Sequence, residues 1–306
     1  MSKKEQSKTP SDGMQLWKVM GVFALVFTAV QLATAVVNLG NDYLMESIHA
    51  NDNLRTFIGS TISHAVMIAA IILITAPVTR AVFGKPGAYS LYPFASNWWK
   101  DLLVGIGISA AAMLVIFLIE FAFGWINVTG ISLNSSSFDA AFRTIWVALL
   151  FSLTISIKEE VLFHGLLMQG VIKAWDKWGA LLISSIVIGG YKIFDIGITN
   201  TNWLQFVPLL ALPGLIFGWA YLRTGNLWLA TGLHFAWDLF QHNILNLTGS
   251  SGGDTHFGLL TDVTGPKWFV GTSYGIEVGA AGILCCILIA VGIWRWTVKN
   301  ESAEST

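Results

Sequence analysis

Two adjacent glutamates, Glu159 and Glu160, close an apolar run that begins at Trp146. His234 and Asp238 stand four residues apart inside another such run, Leu227 to Leu247. Lys192 ends a third, which starts at Ala180. A charged side chain at the centre of a bilayer costs about 2.5–3.5 kcal/mol on insertion scales. Groups kept in such places face one another, water or a substrate. At helical spacing Glu160 shares a face with His164, and His234 shares one with Asp238. Three carboxylates, two imidazoles and one ammonium are thus expected to converge from three helices. A carboxylate can take a proton from water, and an imidazole can share that role or polarise a carbonyl. A cation or a protonated donor can stabilise an oxyanion. His and carboxylate side chains also suit a divalent metal such as zinc, with Glu160, His164 and His234 as candidate ligands. The competing readings are a buried ion network that only ties helices together, and ion or proton transport.

The elements that must hold these groups follow from composition. The chain has 306 residues, of which 54% are apolar and 11% charged, with a mean hydropathy of +0.65. A soluble domain carries about 25% charged residues, so this composition predicts an integral membrane protein. The net charge of −1 gives no sign of a nucleic-acid partner. A helix needs about 20 apolar residues to cross a bilayer. Eight stretches qualify, near 15–38, 57–78, 101–125, 138–158, 179–196, 203–222, 227–247 and 274–295. The expected fold is all-α, a polytopic helical bundle of about eight transmembrane helices. The first stretch, Leu16 to Val37, is too long for a signal-peptide core and is expected to remain as a span. Residues 161–176 read as an amphipathic segment near an interface. The organisation is a polar tail over 1–13, one transmembrane domain over 14–299 and a polar tail over 300–306, both tails expected to be disordered.

Basic residues set the orientation. Lys18, Arg80, Lys100, Lys173, Lys177, Arg223, Arg295 and Lys299 fall on one side together with Lys3, Lys4, Lys8, Lys85 and Lys158, whereas Arg55, Arg143 and Lys267 fall on the other. Both termini are therefore expected on the cytoplasmic side. The 248–273 connection, rich in Gly and Ser, is expected outside. Ser184, Ser185, Gly189, Gly190, Gly214 and Gly218 are small enough to let neighbouring helices approach closely.

Two segments resemble a known family. Lys158-Glu-Glu-Val-Leu-Phe-His-Gly165 resembles the first motif, EExxFRG, of the CAAX-protease and bacteriocin-processing (Abi, CPBP) intramembrane metalloproteases. Gly214-Leu-Ile-Phe-Gly-Trp-Ala-Tyr-Leu-Arg-Thr-Gly-Asn-Leu-Trp-Leu-Ala-Thr-Gly-Leu-His-Phe-Ala-Trp-Asp238 resembles the region of the third motif, which ends HxxxN. The resemblance covers about residues 140–247. It implies an intramembrane protease acting on a membrane-embedded or lipidated peptide. Glu159 would activate the attacking water, Glu160 would help hold the site, and His234 would stabilise the oxyanion. The family's name also implies a metal.

This chain departs from the pattern. His164 stands for the family's Arg, Lys192 for the histidine of the second motif FxxxH, Ile188 for that motif's Phe, and Asp238 for Asn. An imidazole at 164 and a cation at 192 exchange the family's inventory. On that reading Lys192 neutralises Glu160 or Asp238, and His164 serves the water of Glu159. Asp238 can donate a hydrogen bond only when protonated. The alternatives are an inactive member that acts as a membrane scaffold, and an ion-coupled transporter. A transporter calls for inverted repeats or paired broken helices, and the sequence shows neither.

Other polar residues have plainer readings. His64 is expected to make a helix-contact hydrogen bond, His242 to lie near an interface, and Glu120 and Glu277 to snorkel to water near span ends. Asp195 is expected to pair with Lys192. Trp98, Trp99, Trp125, Trp203, Trp228, Trp294 and Trp296 read as an interfacial belt. Cys285 and Cys286 read as small buried hydrophobes. Asn127-Val-Thr129 and Asn246-Leu-Thr248 fit the glycosylation pattern.

Overall fold

The computed structural model describes residues 15–47, 52–83, 98–132, 138–195, 207–249, 256–272 and 275–304. The tail over 1–13, the basic residues Lys3, Lys4, Lys8 and Lys85, and Trp203 lie outside them.

Each of the eight apolar stretches contains a helix among its described residues. α1 is Leu16–Ser47, α2 Asp52–Phe83, α3 Trp98–Ala122 and α4 Phe138–Glu159. Past Glu159 the chain widens into a π-helical segment, Glu160–Leu167, and continues as α5, Met168–Ala174. α6 is Lys177–Asp195 and α7 Val207–Thr224. α8, Trp228–Asp238, runs into a second π-helical segment, Leu239–Ile244. After the short α9, Lys267–Val270, α10 spans Ala280–Glu304 and so carries helix into the stretch expected as a polar tail.

Among the described residues, five helices are long and apolar enough to cross a membrane. They are Leu16–Ser47, Leu54–Ala81, Trp98–Ala122, Phe138–Ala174 and Ala280–Lys299. α6, α7 and α8 are shorter, and the expected count of eight spans has to be read against that difference. Apolar side chains such as Leu25, Leu32, Leu39 and Leu73 are exposed, as the lipid-facing side of such helices requires.

Two expectations are corrected. Residues 161–176 do not form an interfacial segment, because every side chain from Glu160 to Met168 is buried. Leu162, Phe163 and Leu167 fill the core against Phe23 and Phe27 of α1 and Leu181 of α6. Nor is 248–273 only a loop. Its residues Leu259–Val263 form β2, which pairs antiparallel with β1, Ile126–Ile131, through a bulge between Val128 and Gly130. This two-stranded sheet caps a bundle that is otherwise all α.

Glycines let the site helices meet. A Cβ on Gly105 of α3 would sit 2.4 Å from the Leu229 carbonyl oxygen, and one on Gly232 of α8 would sit 2.3 Å from the Leu102 carbonyl oxygen. Backbone thus lies on backbone where α3 crosses α8. Of the small residues named from sequence, Ser185, Gly214 and Gly218 stand at the α6–α7 contact, whereas Gly190 faces open space. Gly232→Ala is expected to destabilise the fold by about 1–3 kcal/mol, the cost of overpacking, read as a lower melting temperature in detergent. An unchanged melting temperature would refute the tight crossing.

Candidate active site

α4 ends on the site, and the π-helical turn after it aims Glu160 and His164 inward. Wide turns of this kind occur mostly as single-turn insertions at functional positions. Both carboxylates are fully buried. Lys192 on α6 donates to Glu159 Oε1 at 2.9 Å. The other oxygen, Oε2, has no hydrogen-bond partner among the described residues. It faces His234 Nε2 at 3.6 Å, and that nitrogen is also 3.6 Å from Asp238 Oδ2.

Glu160 is the hub of a second layer. Its Oε1 lies 2.8 Å from His234 Nδ1, and its Oε2 lies 2.7 Å from His164 Nδ1. The carboxylate therefore fixes the plane of the His234 ring and turns Nε2 toward Glu159 and Asp238. Phe217 of α7 stacks on the same ring at 5.1 Å between centroids. His164 Nε2 donates to the Gly214 carbonyl at 2.9 Å. A Cβ on Gly218 would lie 2.9 Å from His164 Cδ2, so that glycine makes the room the imidazole occupies.

Two cavities adjoin Glu159. One, of about 40 Å³, is lined by Glu159, Lys192, His234, Asp238, Trp237 and Glu277 among others. That is room for about one water molecule. The other, of about 270 Å³, lies between α1, α2 and α4, and its lining includes Asn38, Ser63, His64, Phe151, Lys158 and Glu159. Glu159 is the residue common to both.

All six residues singled out from sequence converge, but two of the expected pairings differ. Lys192 does not neutralise Glu160 or Asp238; it binds Glu159. His164 does not serve the water of Glu159, because both of its ring nitrogens are engaged behind Glu160 and it lines neither cavity. The reason is geometric. The ammonium of Lys192 reaches in from α6, whereas His164 lies one turn beyond Glu160 on the same helix.

The expected ligand set of Glu160, His164 and His234 does not fit a metal in this arrangement. A carbonyl oxygen can only accept, so His164 Nε2 carries a proton, and Nδ1 is bonded to Glu160. His164 then has no lone pair to offer. Both oxygens of Glu160 are likewise taken by imidazoles. Among the described residues no group of three or more His, Cys, Asp or Glu is disposed to hold a metal ion.

Sequence reasoning missed Glu277. It is half-buried, lines the smaller cavity and accepts a hydrogen bond from Trp237 Nε1 at 2.9 Å. Glu120 does not snorkel. It is fully buried, and neither carboxyl oxygen has a partner. His64 makes an intrahelical bond, Nδ1 to the Ser60 carbonyl at 2.7 Å, as expected, but also lines the larger cavity. His242 is exposed. The Asp195 side chain lies outside the described residues. Cys285 and Cys286 are buried and unpaired by disulfide. Asn246 is fully buried, and Asn127 is exposed on β1.

No curated protein and no solved structure matches the chain. One family model does, and it covers residues 141–240. Those bounds enclose α4 almost whole, both layers of the site and the turn after Asp238. The remaining helices, which wall the larger cavity and add Glu277, lie outside them. The long apolar helices make this a multi-pass membrane protein, and its residues 141–240 match the model of the type II CAAX prenyl endopeptidase Rce1-like family.

Proposed function

We propose that this chain is an intramembrane endopeptidase that hydrolyses a peptide bond of a lipidated or membrane-embedded peptide, using a water molecule held by Glu159. The observation that carries the reading is the state of the Glu159 carboxylate. Its Oε1 is fixed by Lys192, and its Oε2 is buried, unpartnered and turned toward His234 Nε2 at 3.6 Å. A water placed between them can hydrogen-bond both groups.

Glu159 Oε2 takes a proton as the water oxygen adds to the carbonyl carbon. His234 Nε2 and the Lys192 ammonium face the same cavity and stabilise the oxyanion that forms. Asp238, at the edge of that cavity, holds the imidazole proton between two carboxylates. Glu160 and His164 touch no reacting atom and act by positioning His234. The peptide reaches Glu159 through the larger cavity, whose lining mixes apolar Val37, Met67 and Ile155 with hydrogen-bonding Asn38, Ser63 and His64. The excess of Lys and Arg in the connections on one side supports a cytoplasmic position for both termini. This reading uses no metal: both ring nitrogens of His164 are engaged, and each Glu160 oxygen faces an imidazole.

The test is cleavage by purified protein in liposomes, with prenylated peptides and leader peptides as substrates. Cleavage of a prenylated peptide that persists after dialysis against a chelator is the expected result. Loss of cleavage on chelation, restored by zinc, would overturn the metal-free mechanism. Failure to cleave any prenylated peptide would overturn the substrate assignment.

A further inference from the structure

Glu277 lies outside residues 141–240, on the turn Ile276–Val278 that leads into α10. It nevertheless lines the same small cavity as Glu159, Lys192, His234 and Asp238. Trp237 Nε1 donates to its Oε1 at 2.9 Å, and Gln241 Nε2 lies 3.3 Å from each of its oxygens. Neither donor is charged. Glu277 is half-buried. Local backbone is nonetheless shaped around it. Gly275 has φ +131°, and a Cβ there would lie 1.8 Å from Glu277 Oε2, so only glycine admits this placement.

The charges around the cavity are unequal. Lys192 donates to Glu159, and among the described residues Asp238 and Glu277 stand in the cavity wall without a lysine or arginine ion-pair partner. Glu159, whose Oε2 has no hydrogen-bond partner among the described residues, lines the same space. The cavity, about 40 Å³, suits a group the size of water or ammonium and is too small for a side chain.

We propose that Glu277 is a further residue of the reaction, a carboxylate that receives the ammonium formed when the peptide nitrogen leaves. The inference rests on the protease reading above. Water oxygen bonds to the carbonyl carbon and Glu159 takes one proton. As the tetrahedral intermediate collapses, the C–N bond breaks and that proton passes to nitrogen. The new carboxylic acid gives up its proton, the amine gains one, and the products are a carboxylate and an ammonium. The positive charge develops on the leaving side, where Glu277 and Asp238 stand.

The experiment compares wild type with Glu277→Gln and Glu277→Asp in liposomes. The substrates are a farnesylated peptide and its depsipeptide twin, in which the scissile N–H is replaced by oxygen. An alcohol leaves uncharged, so the ester is a probe that has no use for Glu277. Glutamine keeps the shape and still accepts from Trp237. The Gln241 Oε1 atom, unpartnered in the wild type, is available to the new amide. Expected for Glu277→Gln is a fall of about tenfold or more in kcat on the amide, with the ester rate within about twofold of wild type and the melting temperature unchanged. Glu277→Asp is expected to recover part of the amide rate. Equal losses on amide and ester would mark Glu277 as merely structural, and no loss on the amide would remove it from the reaction. A wild type that cleaves neither probe would instead bring down the protease reading itself.

Discussion

Glu159→Gln is expected to reduce peptide cleavage by about 10³-fold or more, within the range that positioned acid–base groups contribute. Glutamine is nearly isosteric and can still accept from Lys192 through its oxygen. What disappears is the second oxygen, which has no hydrogen-bond partner among the described residues, on the one side chain that lines both cavities. An amide NH₂ there cannot take a proton from water, and it would face the nitrogen of His234. The check is single-turnover cleavage of a prenylated peptide at saturating enzyme, which separates chemistry from binding. Substrate affinity, measured by protection against thermal unfolding, should stay near wild type. Cleavage within about tenfold of wild type would mean that Glu159 is not the base.

Glu160→Ala is expected to produce the largest loss of stability, about 3–5 kcal/mol, the range for removing one partner of a buried ionic pair. One carboxylate satisfies Nδ1 of both His164 and His234. Its removal strands two buried imidazoles and frees the His234 ring. Thermal unfolding in detergent reads the loss. A cycle with His164→Leu sharpens it. Once His164 is apolar, Glu160→Ala strands one imidazole fewer, and the two changes together should cost less than the sum of each alone. Strict additivity would show that the two side chains do not work as a unit.

Much of this site is legible in the sequence, for a physical reason. Polar groups inside apolar runs stand out because the bilayer penalises each of them, so Glu159, Glu160, Lys192, His234 and Asp238 mark themselves. The helical stretches are legible for the same reason, since length and apolarity alone locate them. Who pairs with whom is another matter. Spacing puts His164 beside Glu160, but only the rotation of α6 against α4 decides that Lys192 reaches Glu159. Glu277 escaped because a glutamate just outside an apolar helix looks like one that reaches for water. Gln241 and Trp237, which hold it, carry no charge to draw attention. The burial of 161–168 escaped as well. Read together with the Lys173, Asp176 and Lys177 that follow, it suits an interface, and the wide turn that puts all its faces into the core has no sequence signature.

Those wide turns carry a further consequence. One begins at Glu160, directly after Glu159, and the other at Leu239, directly after Asp238. A π turn accommodates one residue more than an α turn, so each segment stores a spare residue of chain. Deleting a single residue within either segment lets it relax to a regular helix. The helix beyond keeps its place, because the residue removed is the one the wide turn absorbed; the same deletion in a regular helix would rotate everything beyond by about 100° and draw it back by about 1.5 Å. In the first segment, deleting a residue between Glu160 and His164 brings the pair from four residues apart to three and rephases their contact, while leaving every helix formed. The register of the chain is therefore itself a functional variable, and the loss of one apolar residue here can silence the site as fully as the loss of a carboxylate.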